Sequence, residues 1–256
     1  MSVEMKTPIL EIREASRVFG GVNAVNSVSV SFMPGEIVGL IGPNGAGKTT
    51  LVNLISGFLP LSSGDVLYSG KSIANLKPHE IARAGIARTF QIVQPFSQMT
   101  VLENVMAGAI YAGGLGMRAA RDKAVECLEF TKLASFMNSP ASELALANRK
   151  RLEFAKSLAM NPRVLMLDEV NAGLNSSEID EAIDMIREIA ARGITVIVIE
   201  HLMRVVTSLA KRAVVLHHGA VVADGPTDVV FNDPRVIEAY LGNKFASRVA
   251  SKKGAA

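Results

Sequence analysis

The sequence predicts an α/β fold with a mostly parallel sheet, and three observations lead to that prediction. Short apolar or alternating runs, bounded by turn residues, recur along the chain as strand candidates. Helical patterns lie between several of these runs, and a long, largely helical stretch covers residues 92–159. Fully apolar strands flanked by helices are typical of a parallel sheet covered on both faces. We therefore expect a parallel-sheet core that carries a helical insert.

The individual elements follow from the same patterns. In chain order the strand candidates read ILEIREA, VNSVSVSF, EIVGLIG, GDVLYSG, RVLMLDE, GITVIVIE, RAVVLHHG and AVVADG. The helical pattern TTLVNLISGF follows the third candidate directly, and EIDEAIDMIREIAARG separates the two most apolar candidates. Within the insert, GGLG interrupts an otherwise helical stretch in which RAARDKAVECLEFTKLASFM is the clearest amphipathic helix.

Composition limits the class of protein. The chain has 256 residues, which is near the upper limit of a single domain. Its mean hydropathy of +0.29 is high, but it has no run of 18 apolar residues that could form a membrane-spanning helix. The first residues lack the apolar stretch of a secretory signal, and the one cysteine, Cys127, allows no internal disulfide, so we expect a cytoplasmic protein. A net charge of +3 gives no argument for a nucleic-acid partner. The basic tail, residues 243–256, is expected to be flexible.

Residues 42–49, GPNGAGKT, match the phosphate-binding pattern G-x-x-x-x-G-K-[ST]. They directly follow the strand candidate EIVGLI and directly precede a helical pattern, which is the context that this motif requires. Gly45 and Gly47 allow successive backbone N–H groups to point at phosphate oxygens. Lys48 would bridge the terminal phosphates, and the Thr49 hydroxyl would ligate Mg²⁺. The sequence therefore predicts nucleoside triphosphate binding.

Two carboxylates, Asp168 and Glu169, end the buried strand candidate VLMLDE. Ligands of open α/β sheets bind outside the carboxyl ends of strands, so we expect both acids to face the phosphate loop. Asp168 would hold the metal through water, and Glu169 would polarise the attacking water as general base. Without the phosphate loop, the pair could also be acids that cap a strand and open a turn. With it, the pattern favours ATP hydrolysis.

Two further polar residues stand at junctions of the predicted fold. His201 follows the strand candidate GITVIVIE, where an imidazole could donate to a terminal phosphate, although a lone histidine is usually structural. Gln91 stands where the core gives way to the insert and could link nucleotide to a moving subdomain, although a surface glutamine is the commoner finding. The remaining histidines have no partners at metal-ligand spacing and are interpreted as structural. They are His79, His217 and His218.

In chain order, GPNGAGKTT, Gln91, VLMLDE and His201 resemble the ATPase subunit of ABC transporters across nearly the whole chain. The segments RTFQ, MTVLENVMAG and DPRVIEAYLG resemble the branched-chain amino acid importer group of that family. The resemblance implies one ABC ATPase domain over residues 1–242. Its P-loop ATPase core would comprise residues 1–91 and 160–242 and include an N-terminal antiparallel β subdomain, with residues 92–159 as the helical subdomain.

The resemblance also implies roles for individual residues. The Walker A segment would bind ATP, with Phe19 stacking on adenine and Val25 helping it. Gln91 would be the Q-loop residue and a further Mg²⁺ contact, NAGLN the D-loop, and His201 the switch histidine. Lys48, Gln91, Glu169 and His201 would then be catalytic, while Thr49 and Asp168 would hold Mg²⁺. The nucleotide-binding residues at the Walker A segment would be Gly42, Pro43, Asn44, Gly45, Ala46, Gly47, Lys48, Thr49 and Thr50.

The family signature, usually LSGGQ, is replaced by LALAN at residues 144–148. Taken alone, LALAN would be interpreted as a helical core turn. Leu144 is retained, Ala145 replaces the serine that donates to the terminal phosphate, and Ala147 adds a Cβ where glycine lets the backbone approach. Leu146 stands at a variable position, and Asn148 is shorter than glutamine. Loss of the hydroxyl bond should cost about 1.5–3 kcal/mol. What remains is a helix N-terminus, whose N–H groups attract an anion.

Each signature of this family acts on the nucleotide held by the other ATPase subunit, so LALAN predicts pairing with an unlike ATPase subunit. Val170 and Asn175 also depart from the family's usual proline and aspartate, and neither change removes a catalytic group. The expected partners are transmembrane permease subunits, with a solute-binding protein acting indirectly, at the cytoplasmic face of the inner membrane. Two alternatives remain open: a non-transport ATPase acting on DNA or the ribosome, and a regulatory subunit that binds ATP with little hydrolysis.

Overall fold

The computed structural model describes residues 7–90, 94–200 and 203–241. Every strand candidate from the sequence forms a strand, and β5 and β6 are additional. The strands are β1 Leu10–Phe19, β2 Val22–Phe32, β3 Ile37–Ile41, β4 Ser63–Tyr68, β5 Lys71–Ser72, β6 Ile86–Arg88, β7 Val164–Asp168, β8 Thr195–Ile199, β9 Arg212–His217 and β10 Ala220–Pro226. The two additional strands are too short to give a periodic pattern.

The α-helices of the described residues lie mostly between these strands. They are α1 Lys48–Ile55, α2 Pro78–Ala84, α3 Val101–Tyr111, α4 Met117–Phe130, α5 Leu146–Ala159, α6 Ser176–Ala191, α7 Met203–Leu209, α8 Thr227–Val230 and α9 Pro234–Leu241. Among these helices, none combines the length and apolar character that a bilayer crossing requires.

The chain folds into two compact units. The first contains the chain up to Ile55, Leu59–Asn75 and the chain from Ile197 onward, and the second contains Ser56–Phe58 and Leu76–Val196. The predicted helical subdomain, residues 92–159, falls inside the second unit. Its boundaries with the core remain predictions, and the predicted tail, residues 243–256, lies outside the described residues.

The first unit contains an antiparallel sheet with the strand order β2-β1-β4-β5. Leu10 pairs with Phe32 of β2 on one side and with Tyr68 of β4 on the other, and all three side chains are buried. Leu10 and Ile12 are both buried, as the two-residue period of a strand requires, and a register shift after Ile12 makes Ala15 the next buried residue. This sheet confirms the antiparallel β subdomain expected near the N-terminus.

Parallel pairing occurs in both units. In the first unit β3 pairs parallel with β9, which pairs antiparallel with β10, so the sheet is mixed. In the second unit β6 pairs parallel with β7. The β7 residues Val164–Asp168 are all buried, as expected for a strand covered on both faces. The predicted mostly parallel α/β core is confirmed.

The predicted helical insert is less continuous than its sequence indicates. The amphipathic pattern beginning at Arg118 predicts a helix through Met137, but α4 ends at Phe130. Lys132 takes a positive φ of 60°, and the Leu133 N–H donates to the Leu128 carbonyl oxygen at 2.7 Å. This six-to-one bond, closed by two buried leucines, is the Schellman arrangement that stops a helix. Leu133 therefore belongs to the core without continuing the helix, whereas Phe136 is exposed.

Helices α3, α4 and α5 pack together in the second unit, and α3 approaches α5 closely at Gly108. A Cβ built on Gly108 would lie 2.7 Å from the backbone carbonyl oxygen of Lys156. A backbone atom inside a helix cannot move aside as a flexible side chain can. The absence of a side chain at Gly108 therefore sets the distance between these helices.

We expect Gly108→Ala to destabilise the protein even though alanine favours a helix by about 1 kcal/mol. Overpacking against the Lys156 carbonyl should lower the free energy of unfolding by about 1–3 kcal/mol. Urea unfolding followed by circular dichroism measures this change. Gly225→Ala is the control, because its Cβ would meet Val230 at an ordinary 3.8 Å. A Gly108→Ala chain that is more stable than the parent would contradict the close approach.

Candidate nucleotide-binding and catalytic site

The phosphate loop, residues 42–49, connects the end of β3 to the start of α1 in the first unit. Gly42, Gly45 and Gly47 have φ values of 151°, 78° and 101°, which side chains oppose. A Cβ on Gly42 would collide with the carbonyl oxygen of Leu216, and one on Gly47 would lie 2.5 Å from that of Ala24. The loop thus needs glycine for its conformation at three positions and for close packing at two of them.

The same contacts show what holds the loop in place. The Gly219 N–H, in the turn between β9 and β10, donates to the Ala46 carbonyl oxygen at 3.0 Å. The Gly219 carbonyl oxygen accepts from the Asn26 N–H of β2 at 2.8 Å. A turn far along the chain therefore joins the phosphate loop to the antiparallel sheet. Sequence analysis missed Gly219, although the HHG turn signal marks its position.

Lys48 lies at the start of α1 with 7% of its surface exposed. Its ammonium donates to the carbonyl oxygens of Gly42 at 2.7 Å and Pro43 at 3.1 Å. Asn44 and Thr49 are exposed, so the surface of the loop and the helix N-terminus is open to a ligand. Free N–H groups at such a terminus favour a phosphate. The structure brings the predicted phosphate-binding residues into one continuous turn.

The predicted adenine-stacking residue, Phe19, ends β1 with 42% of its surface exposed. The Arg17 guanidinium carbon lies 4.6 Å from the centroid of its ring, within the range of a cation–π contact. Val25 is fully buried, whereas Val22, which pairs with Phe19 in the hairpin, is 67% exposed. Of the two residues predicted to contact adenine, Phe19 is the one that presents a surface.

The acidic pair lies in the second unit, at the end of β7. The Asp168 carboxylate is buried and accepts from Arg88 at 2.8 Å, with 9% of the arginine side chain exposed. The Asp168 N–H donates to the Thr89 hydroxyl at 3.1 Å. Strand β6 and the residue after it therefore supply both neighbours that fix Asp168. Sequence analysis missed Arg88 and Thr89, because β6 is only three residues long.

Glu169 follows Asp168 with a φ of 48°, a left-handed backbone that non-glycine residues rarely adopt. Backbone strain of this kind occurs where surrounding contacts enforce it, often at active sites. The acid loop, residues 169–175, ends at Asn175, which caps helix α6. The Asn175 side chain accepts from the Glu178 N–H at 3.0 Å, and Glu178 accepts from the Asn175 N–H at 2.9 Å. Both ends of the acid loop are therefore fixed.

LALAN lies at the start of helix α5, as the sequence predicts. Ala145 is the N-cap and gives no side-chain cap to the first turn. Leu144 is buried and Leu146 is 49% exposed, while Ala147 and Asn148 belong to the first turn. Arg149 donates to the carbonyl oxygens of Leu144 at 2.7 Å and Ser142 at 2.8 Å, which holds the chain entering the helix.

Residues that could hold a metal are few. In the ranges that the structure describes, no group of three histidine, cysteine or acidic residues could hold a metal ion. Mg²⁺ commonly binds to one or two protein oxygens together with substrate phosphates, and the Thr49 hydroxyl of the first unit is an oxygen of that kind. The Asp168 carboxylate, in the second unit, is paired with Arg88. The other predicted site residues, Gln91 and His201, lie outside the described residues.

Comparison with known proteins identifies the family. The model of the ABC transporter family matches residues 25–172, and that of the branched-chain amino acid ATP-binding cassette transporters matches residues 220–246. The high-affinity branched-chain amino acid transport ATP-binding protein BraF of Pseudomonas aeruginosa is 39% identical, over 93% of this chain and 99% of that protein. LivG of Escherichia coli, a protein with the same description, is 38% identical over the same shares.

A solved structure gives the same result. The ADP conformation of an ATP-binding cassette of an ABC transporter matches with a TM-score of 0.83 and 34% identity. The match covers 93% of this chain and 100% of the solved chain. These matches confirm the resemblance drawn from the sequence, including its branched-chain amino acid group. The chain belongs to the ABC transporter family, as one of its ATP-binding proteins.

Proposed function

We propose that this chain binds and hydrolyses ATP to drive an importer of branched-chain or similar amino acids. The observation that carries the proposal is the phosphate loop, whose glycines at 42 and 47 approach other backbone so closely that a side chain is excluded. Family membership adds the coupling of hydrolysis to transport. The kind of solute follows from the names of the relatives BraF and LivG.

ATP binding would use groups that the first unit already orients. Lys48, now bonded to the carbonyl oxygens of Gly42 and Pro43, would turn toward the terminal phosphates. Backbone N–H groups of the loop and the start of α1 would receive the remaining phosphate oxygens. Phe19 would stack on adenine, and Arg17 behind it would hold the ring in place.

Hydrolysis would depend on the acids at the end of β7. Glu169 would take a proton from the attacking water, and the unusual backbone described above sets the direction of its side chain. Asp168, oriented by Arg88, would hold the metal through water. Mg²⁺, when bound, neutralises charge that develops on the phosphate oxygens. The family resemblance adds Gln91 and His201 as contacts to the metal and the terminal phosphate.

The weak point is the signature. Ala145, at the N-cap of α5, has only a methyl side chain, so no hydroxyl is available there to a phosphate. The helix N-terminus would still attract an anion, with lower affinity. We infer that this chain pairs with an unlike ATPase subunit, whose own signature completes the site built on Lys48 and Glu169. LALAN would then cover a second, weaker site.

Other partners would be permease subunits in the membrane, with this chain at their cytoplasmic face. A solute-binding protein would act through those subunits without contacting this chain. Docking would involve part of residues 92–106, where Phe96 is 54% exposed. Val101 and Val105 in the same segment are buried and belong to the core. The docking surface is therefore smaller than the apolar sequence indicates.

A second candidate function is a regulatory subunit that binds ATP with little hydrolysis. The uncapped start of α5 favours it, because a signature without its hydroxyl is expected to be weak. The carboxylate of Glu169 argues against complete inactivity. Turnover measured in an assembled transporter would separate the two functions.

We expect the purified chain to hydrolyse Mg-ATP slowly and a repaired chain to do so faster. The repaired chain carries Ala145→Ser, Leu146→Gly, Ala147→Gly and Asn148→Gln, which restore the hydroxyl and the close backbone approach. The gain should be about ten- to a hundredfold in turnover. Release of inorganic phosphate at saturating Mg-ATP measures it.

Glu169→Gln is the control in both backgrounds and should lower turnover by at least about a hundredfold. Equal turnover by the natural and repaired chains would contradict the account of LALAN. Turnover that survives Glu169→Gln would contradict the role of Glu169. The thermal unfolding temperature of each variant shows whether any loss is a loss of folding.

We expect Phe19→Ala to weaken ATP binding by about 1–3 kcal/mol, because base–aromatic stacking contributes that much. The dissociation constant for ATP, measured by calorimetry, should rise about five- to a hundredfold. Val18→Ala is the matched control, since Val18 is 41% exposed in the same strand. If both variants bind ATP as the parent does, Phe19 does not contact the base.

A further inference from the structure

Lys150 is a buried lysine that belongs to none of the motifs of the sequence. It lies in α5, four residues after Leu146, with 6% of its surface exposed. Its ammonium donates to the carbonyl oxygen of Val170 at 2.8 Å and to that of Ala172, and approaches that of Glu169 at 3.5 Å. A buried ammonium is costly unless its N–H groups are bonded, so these carbonyls account for its burial.

The carbonyls that Lys150 binds all belong to the acid loop, residues 169–175. Within that loop the Ala172 N–H donates to the Glu169 carbonyl oxygen at 3.2 Å, and the Leu174 N–H donates to that of Asn171 at 3.2 Å. The first of these bonds closes a turn over residues 169–172, and the Lys150 ammonium lies within 3.5 Å of the carbonyl oxygens of Glu169, Val170 and Ala172. Lys150 therefore bridges the carbonyl oxygens of a turn that begins at the strained backbone of Glu169.

Other residues on the same face of α5 also contact the acid loop. A Cβ on Gly173 would lie 3.1 Å from Leu146 Cδ2, so the exposed leucine of LALAN packs on the D-loop. Ala147 and Phe154 line a small cavity together with Val170 and Leu174. Residues 146, 150 and 154 are four apart, which places them on one helix face.

We propose that Lys150 is a positioning residue for the catalytic acid. Its ammonium holds the backbone turn that gives Glu169 its left-handed φ, and it joins that turn to the helix that begins in LALAN. This inference rests on the proposed role of Glu169 as general base. Lys150 itself touches no reacting atom, so its effect is on the geometry of the acid.

The test compares Lys150→Met and Lys150→Arg in the full chain. Methionine keeps the length of the side chain and removes its donors, which leaves the loop carbonyls without that partner. We expect the kcat of Lys150→Met for Mg-ATP to fall by about ten- to a hundredfold, with KM unchanged. Lys150→Arg, which keeps charge and donors in a wider planar group, should recover part of kcat. The measurement is repeated in the repaired chain, where turnover is higher.

Hydrogen–deuterium exchange gives a second readout that does not need turnover. Amides of the acid loop should exchange about tenfold faster in Lys150→Met. Lys156→Met is the matched control, because Lys156 lies on the same helix and pairs with the buried Glu153 at 2.7 Å. It removes a mostly buried ammonium without touching the acid loop, so it should change stability and leave both kcat and the exchange of residues 169–175 unaltered.

The outcomes separate the two proposals. An unchanged kcat in Lys150→Met, with or without faster exchange, overturns the positioning role. An equal loss in Lys156→Met overturns it as well, because the effect would then be one of general stability. If neither the natural nor the repaired parent chain hydrolyses ATP, the proposed function fails. The inference about Lys150 is then tested by exchange alone, and unchanged amide exchange of the acid loop in Lys150→Met would overturn it.

Discussion

The phosphate loop depends on backbone packing that admits no side chain. At Gly42 and Gly47 a Cβ would meet the carbonyl oxygens of Leu216 and Ala24, and at Gly219 it would lie 2.9 Å from that of Ala24. Segments distant in sequence are thereby brought against one turn, which gives the start of α1 a fixed direction. Lys48 is held by the same turn. The proposed binding of ATP by this loop depends on that packing.

Buried cations organise the second unit in a comparable way. Arg88 fixes the carboxylate of Asp168, and Lys150 fixes the carbonyls that follow Glu169. Removing one partner of a buried, bonded charge costs more than the contact itself contributes, because the other partner remains unsatisfied. The two acids are therefore oriented by basic residues that have no place in the usual motif descriptions. In this chain, one face of α5 begins in LALAN with Leu146 and contacts the acid loop that begins at Glu169.

The sequence predicted the strands and the motif positions well, since apolar period and glycine spacing are local properties. It could not show that Val25 is buried while Val22 is exposed, because hairpin pairing decides which face each residue takes. Strand β6 was not predicted, because three residues are too few to show a period. The two partners of Asp168 at the end of that strand, Arg88 and Thr89, were therefore missed as well. The end of α4 was predicted too late, since the turn at Lys132 depends on burial of Leu128 and Leu133. Lys150 was missed because its acceptors are backbone atoms about twenty residues away, which no side-chain pattern reveals.

The central claim is that an intact nucleotide-binding half is combined with a weak signature, so that the chain needs an unlike partner. ATP-dependent self-association of the Glu169→Gln chain, measured by sedimentation velocity, tests this most directly. With Mg-ATP the chain should remain monomeric at concentrations where the same chain with a repaired signature dimerises. The homodimer contains two signature contacts, so the two dissociation constants should differ by about a hundred- to ten-thousandfold. Equal dimerisation of both chains would contradict the claim.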